Sequence, residues 1–328
     1  MTRLDTEIKK LSIPTPYAVG DVNVYVIKGE ALTLVDAGPR THEGKEVLEK
    51  SLRDLGLLIS DFDQIVLTHH HPDHAGGIDF FPEQAIVFGH AYNQRWLELT
   101  EEFRAELDQF YLNIGKELGV PEEKAASMNN YRGSGGYISK RTVQSYLKEG
   151  DEIPGLFGWQ VIETPGHAQS HISLFRERDG VMIGGDHLLN KISPNPILEP
   201  PFSPDESRPE PLNQYNNSLR KWLEVPISLT LPGHGGDISE THELIRHNLA
   251  RQHGRAMRVK QMLEVKSQTG FEICKQLFPK VYYRELGLTI SETVGQLDYL
   301  EGLGEIKKED QNGIYMYSVH SLKKRGGQ

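Results

Sequence analysis

Apolar and polar positions lay out the elements of this chain. VNVYVI, residues 22–27, alternates and is rich in β-branched residues, and LTLVD, 32–36, follows across a Lys28-Gly29-Glu30 turn. A side-chain period of two around a short turn predicts two strands. From Glu43 to Gly56 the period changes: Val47, Leu48, Leu52 and Leu55 share one helical face, and Gly56 is the stop. IVLT (65–68), AIVFG (85–89), WQVIET (159–164), HISLF (171–175), GVMIGG (180–185) and ISLTLPG (227–233) are short apolar runs that read as further strands. Residues 91–118 read as helical, with Trp96, Phe103, Leu107, Phe110 and Tyr111 as apolar positions. A proline-rich stretch from Ser193 to Pro211 precedes a helix over about 212–223, and a long helical pattern runs from Glu240 to about Ser267.

The tail has a different character. FEICKQLFP reads as a short helix. LTISETVGQLDYLEGLG (288–304) opens on a serine cap and runs helically through Val294, Leu297, Leu300 and Leu303. Two β-like runs then flank Asn312-Gly313, a strong hairpin turn. Helices followed by a hairpin resemble a winged-helix module. Residues 251–328 hold 13 Lys and Arg against 9 Asp and Glu, a balance of +4; the whole chain carries −10, which leaves −14 for the rest. This asymmetry supports a domain of residues 1–250, with a helical insertion at about 91–140, and a winged-helix-like domain of 251–328.

Composition narrows the class. A chain of 328 residues with 37% hydrophobic and 25% charged residues is globular and long enough to bury a large core. The amino terminus lacks an apolar signal segment and no long apolar run occurs, so a cytoplasmic protein is expected. Cys274 is the single cysteine, which excludes an internal disulfide and a cysteine-rich zinc site. The acidic balance argues against a nucleic-acid partner and for a small-molecule substrate. Homo-oligomer formation is left open.

Chemistry concentrates in THHHPDHAGG, residues 68–77. His69 and His71 lie two apart after a strand, so both face the same way and can grip one ion. Asp73 and His74 fall on the following turn and can address a second position. Imidazole and carboxylate suit zinc, iron or manganese. One stretch cannot complete two coordination shells, but His167 in TPGHAQSH, Asp186 in GGDH and His234 in LPGHG each end a predicted strand. Each follows a glycine, which allows close approach.

THHHPDH, TPGHAQSH, GGDH and LPGHG, in that order over about residues 18–240, resemble the metallo-β-lactamase superfamily. The resemblance implies an α/β fold, an αββα sandwich of two mixed sheets flanked by helices. It also implies two divalent ions, zinc first with iron or manganese as alternatives. His69, His71 and His167 would take the first ion and Asp73, His74 and His234 the second. Asp186 would bridge them, and the nucleophile would be a hydroxide held between them. Asp73 and Asp186 are then the catalytic carboxylates, with Asp73 orienting the nucleophile, and Asp36 in LVDAG would support a ligand from behind.

The other histidines read differently. His70 points away from its neighbours and belongs to packing; His171 braces its loop; His187 is either an ordinary partnered histidine or a proton donor to a leaving group; His90 is structural. The segment from Tyr92 to Tyr137 serves either as packing or as a lid, and Arg132, in a loop with Gly133 to Gly136, is either solvated, the favoured reading, or able to meet an anionic substrate. Among family branches, β-lactamases proper generally lack an aspartate at the Asp186 position, and flavodiiron proteins have glutamate where His71 stands. Glyoxalase II-like thioesterases share the ligand set but differ in the tail. The expected activity is hydrolysis of a small ester, thioester or lactone. The alternative is a lactamase-like endoribonuclease or phosphodiesterase.

Overall fold

A computed structural model describes residues 8–129 and 137–320. Two compact units emerge: residues 1–100, 133–194 and 214–246 form the first, and 101–132, 195–213 and 247–328 the second. A cut of the sequence after residue 250 yields contiguous pieces, whereas the compact units are each assembled from three segments. Arg132 and the glycine-rich run 133–136 lie outside the described residues.

In the first unit, β1 (Ile8–Ile13), β2 (Val22–Lys28), β3 (Leu32–Val35), β4 (Gln64–Val66), β5 (Ile86–Gly89) and β6 (Ser145–Tyr146) form one sheet in sequential order. β1 to β3 pair antiparallel and β3 to β6 parallel. A second sheet holds β7 (Trp159–Glu163), β8 (Ile172–Arg176), β9 (Val181–Gly185) and β10 (Leu229–Pro232), in the order β10-β9-β8-β7. Alternation along β2 explains the layering. Val22, Val24 and Val26 pack with Leu34, Ile65, Leu48 and Leu52, the last two being the apolar face of α1 (His42–Asp54). Tyr25 and Ile27 point the other way and pack with Trp159, Val161, Ile172 and Leu174 of the second sheet. β2 is therefore buried on both faces, including Asn23, whose side chain donates to the Pro232 and Gly235 carbonyls.

The helix α1 starts where Thr41 Oγ1 accepts the Gly44 N–H at 3.0 Å. Beyond β4 lies α2 (Pro72–Ala75), and after β5 comes α3 (Asn93–Glu98). The single helix expected over 91–118 is broken, because Leu99 adopts a left-handed conformation, φ 41°, before α4 (Glu101–Leu118) begins. On the outer face of the second sheet, Phe175 meets Trp222, just past α6 (Pro211–Lys221), edge-on at 5.7 Å.

The second unit contains α4, α5 (Glu122–Ala125), most of α7 (Thr241–Val265), α8 (Gly270–Leu277) and α9 (Leu286–Gly302). Its sheet runs β11-β13-β12, from β11 (Gln268–Thr269), β12 (Ile306–Gln311) and β13 (Ile314–Val319). Asn312 (φ 60°) and Gly313 (φ 83°) make the turn between β12 and β13. α9 differs from expectation: it opens at Leu286, which is buried, and Ser291 sits inside it. The Ser291 hydroxyl accepts the Leu198 N–H at 3.1 Å instead of capping the helix. Polar residues of α9 are buried in pairs, Glu292 with Arg255, Gln296 with Gln252, and Asp298 with Arg208. No helix among the described residues is long and apolar enough to cross a membrane.

Candidate metal centre

Strand ends of both sheets supply the site. β4 runs into Thr68 and the histidines, and Pro72, which pre-sets φ for a first helical position, starts α2 so that Asp73 and His74 lie on its only turn. His167 follows β7, Asp186 follows β9 and His234 follows β10. The glycines before them matter where space is tight. A side chain at Gly233 would collide with Asp186 Oδ1 and would come within 2.8 Å of His74 Cε1. At Gly185, φ is +49° and a Cβ would lie 2.8 Å from both His171 Nε2 and Thr68 Oγ1.

All seven expected ligands come together and all are buried. His69 Nε2 lies 2.9 Å from His71 Nδ1, and His167 Nε2 lies 3.0 Å from the same atom. Nitrogens of a tetrahedral zinc site with bonds of about 2.0–2.1 Å stand roughly 3.3 Å apart, so both separations from His71 approach that spacing. Asp73, His74 and His234 form a second group, with His234 Nε2 3.4 Å from Asp73 Oδ2. Asp186 touches both groups: Oδ1 is 3.3 Å from His74 Nε2, and Oδ2 is 3.5 Å from His167 Nε2 and 3.6 Å from His234 Nε2.

Partners behind the ligands decide which nitrogen faces inward. Asp36 Oδ2 accepts from His74 Nδ1 at 2.8 Å, and the Asp21 carbonyl accepts from His234 Nδ1 at 2.7 Å. Both histidines are thereby left with Nε2 turned into the cage. Asp36 also accepts the Thr68 N–H and hydroxyl, each at 2.8 Å. With its hydrogen spent there, the Thr68 oxygen accepts from His69 Nδ1 at 3.0 Å, which frees His69 Nε2. Asp36 holds φ 59°, a left-handed backbone that a non-glycine residue adopts at a cost, and here it carries the shared acceptor.

The electrostatics suit a bound cation. Burial and neighbouring imidazoles push the pKa of His69 and His71 well down, so both are neutral with lone pairs to give. Burial also opposes charge on His74 and His234, but Asp186 with Asp36 and Asp73 outweighs it and raises both. Asp186 stays ionised although buried, because His74, His234 and His167 hold its carboxyl well below the usual range. Yet buried His74 Nε2, His234 Nε2 and Asp186 Oδ1 make no hydrogen bond among the described residues. Unsatisfied buried polar atoms are costly, and three of them facing one another fit a site built for metal.

The remaining histidines have other duties. His70 stacks on Trp96 at 4.4 Å and 8°, and its Nδ1 lies 2.8 Å from Ser170 Oγ. His171 Nε2 accepts the Asp186 N–H at 3.1 Å while Nδ1 donates to Thr164 Oγ1 at 2.7 Å, so it fixes the backbone that carries Asp186. His187 is fully buried against Tyr215, neither ring nitrogen makes a hydrogen bond among the described residues, and burial lowers its pKa to about 3. The Asp21 carbonyl is not foreseeable from the sequence, because a backbone acceptor leaves no side-chain signature; Thr68 stands at the head of the motif, and its hydroxyl is the signal that sequence reasoning overlooks.

The family model of the metallo-beta-lactamase superfamily matches residues 17–234. The probable metallo-hydrolase YqjP of Bacillus subtilis is 43% identical over 90% of this chain and 92% of its own. A crystal structure of a metallo-beta-lactamase family protein from Thermus thermophilus superposes with a TM-score of 0.78 at 28% identity, covering 95% of this chain and 98% of that one. A beta-lactamase domain protein from Burkholderia ambifaria shares the fold, with a TM-score of 0.77 at 22% identity over 96% and 94% of the two chains. The chain belongs to the metallo-β-lactamase superfamily.

Proposed function

We propose that the cage holds two divalent ions, zinc first with iron or manganese as alternatives, and that the protein hydrolyses a small ester, thioester or lactone. His69, His71 and His167 would hold one ion and Asp73, His74 and His234 the other, with Asp186 within reach of both groups. Bound there, such ions supply Lewis acidity and a water whose pKa is lowered to about 7. The protein's own groups do the rest. Asp36 and the Asp21 carbonyl turn Nε2 of His74 and His234 toward the cage; His171 holds Asp186 in place; Asp73 has a second carboxylate oxygen able to accept a hydrogen bond from the attacking water. Hydrolysis then adds the water oxygen to the acyl carbon and its proton to the departing alkoxide or thiolate.

One observation carries this reading: three buried donor atoms on His74, His234 and Asp186 converge with no hydrogen bond among the described residues. The relative named a probable metallo-hydrolase supports the reaction class. The second unit reads as winged-helix-like, since the order α7, β11, α8, α9, β12, β13 with β13 central suits that architecture. Thirteen of the seventeen residues of α9 are buried, which leaves it no broad face for a nucleic-acid groove and favours a small-molecule substrate. An activity screen with zinc-loaded protein over esters, thioesters, lactones and single-stranded RNA tests the reading. Turnover of a carbonyl substrate is expected. Cleavage confined to RNA, weakening steeply with salt, would replace it with the phosphodiesterase alternative.

A further inference from the structure

Tyr17 belongs to the loop between β1 and β2. That loop is closed on itself: Thr15 Oγ1 donates to the Gly20 carbonyl at 2.7 Å, the Tyr17 N–H donates to Thr15 Oγ1 at 3.2 Å, and the Gly20 N–H donates to the Tyr17 carbonyl at 3.2 Å. Its last residue, Asp21, holds His234 through the carbonyl bond described above. The loop is thus tied to one corner of the cage. The Tyr17 ring is half-buried, and its hydroxyl makes no hydrogen bond among the described residues. The Asp73 carboxylate lies close enough to interact with this hydroxyl, and a tyrosine hydroxyl carries its proton at neutral pH and can donate.

Tyr137 meets it from the opposite side. The two rings stand edge to face, with centroids 6.2 Å apart at 68°. Tyr137 is brought there by Gly76, the residue that ends α2: a Cβ at Gly76 would lie 2.5 Å from the Tyr137 carbonyl oxygen, so the two backbones touch. The run that follows is fastened by Arg40 Nη1 donating to the Ile138 carbonyl at 3.0 Å and by Ser139 donating to Asp79 at 2.5 Å. The same short helix therefore presents Asp73 and His74 to the cage and seats Tyr137 beside Tyr17. Tyr137 keeps 37% of its surface exposed, so an aromatic face stays open beside Tyr17.

We propose that Tyr17 and Tyr137 contact the substrate: the Tyr17 hydroxyl donates to the acyl carbonyl oxygen as negative charge develops there, and the ring pair forms a wall selecting flat, apolar, preferably aromatic acyl groups. This rests on the hydrolase reading above and names its substrate class. A donor that gains strength as the oxyanion forms acts on kcat, whereas an aromatic wall that packs on the acyl group in ground and transition states alike acts on KM.

The test uses zinc-loaded wild type, Tyr17→Phe and Tyr137→Ala with 4-nitrophenyl acetate and 4-nitrophenyl phenylacetate, which share a leaving group. Zinc content and melting temperature are read alongside. Tyr17→Phe should lower kcat on both esters by about tenfold to a hundredfold, with KM within about threefold, as for loss of one oxyanion donor. Tyr137→Ala should raise KM for the phenylacetyl ester by about tenfold and leave the acetyl ester near the wild-type value. Both variants should keep wild-type zinc. Unchanged kcat in Tyr17→Phe, equal KM changes on the two esters in Tyr137→Ala, or loss of zinc from either variant overturns the inference while the hydrolase reading stands. A zinc-loaded wild type that hydrolyses no carbonyl ester, thioester or lactone overturns both.

Discussion

The Asp36 carboxylate accepts from His74 Nδ1 at 2.8 Å, and this one contact sets the direction of a ligand whose Nε2 stands 3.3 Å from Asp186. Asp36 reaches it from a left-handed backbone at the end of β3, a conformation stabilised by its bonds to Thr68.

Asp36→Asn keeps the shape and tolerates positive φ, but its amide can present a donor where the carboxylate accepted. His74 is then free to carry its proton on Nε2, inside the cage. Metal affinity is expected to fall by about 10–100-fold. Zinc retention during titration with a competing chelator checks this; wild-type retention would show that Asp36 does not set the tautomer.

At Gly233 the space for a side chain is already taken by Asp186 and His74. Gly233→Ala should lower stability by about 1–3 kcal/mol through overpacking and should displace Asp186, so that bound metal falls as well. Melting temperature and elemental analysis report the two effects separately. A variant with full metal and unchanged melting temperature would mean the backbone yields more easily than the close approach suggests.

His187 predicts a pH dependence. Its folded pKa is lowered to about 3 by burial, with His167 and Lys221 adding to the effect, whereas an unfolded histidine titrates near 6.5. Between these values the unfolded chain binds the extra proton, so His187 costs no stability above about pH 6.5 and destabilises progressively as the pH falls below it. His187→Leu removes that linkage. Relative to the variant, the metal-stripped wild type should lose about 2 kcal/mol between pH 7.5 and pH 5. Denaturant unfolding at the two pH values measures the difference; parallel behaviour of the two proteins would show that His187 is not held neutral by the fold.

How much of this can be read from the chain depends on the kind of interaction involved. The strands that end in His69, His167, Asp186 and His234 are visible because each is a short apolar run broken by a glycine or by the motif itself. β1 escapes notice because Lys9, Lys10 and Ser12 dilute its apolar positions, and β6 because two residues carry no periodicity. The start of α9 is misleading, since a serine followed by a glutamate resembles a cap while Leu286, the actual start, is drawn in by burial. The make-up of the second unit is hidden for a different reason. Its three segments meet through contacts such as the Tyr111 hydroxyl on the Leu198 carbonyl, 2.7 Å, and these involve backbone groups of residues far apart in sequence. The inward-facing side chains are legible from residue type and spacing; the Asp21 carbonyl behind His234 is not.

Asp186 is the side chain on which both ligand groups converge, so metal stoichiometry in wild type and Asp186→Ala, both saturated with zinc and then dialysed, is the most direct measurement. The wild type should retain about two ions per chain, and Asp186→Ala should lose at least one of them together with most of its hydrolytic activity. A wild type that retains none after exposure to zinc, iron or manganese, or an Asp186→Ala protein with undiminished metal and turnover, would contradict the metal cage.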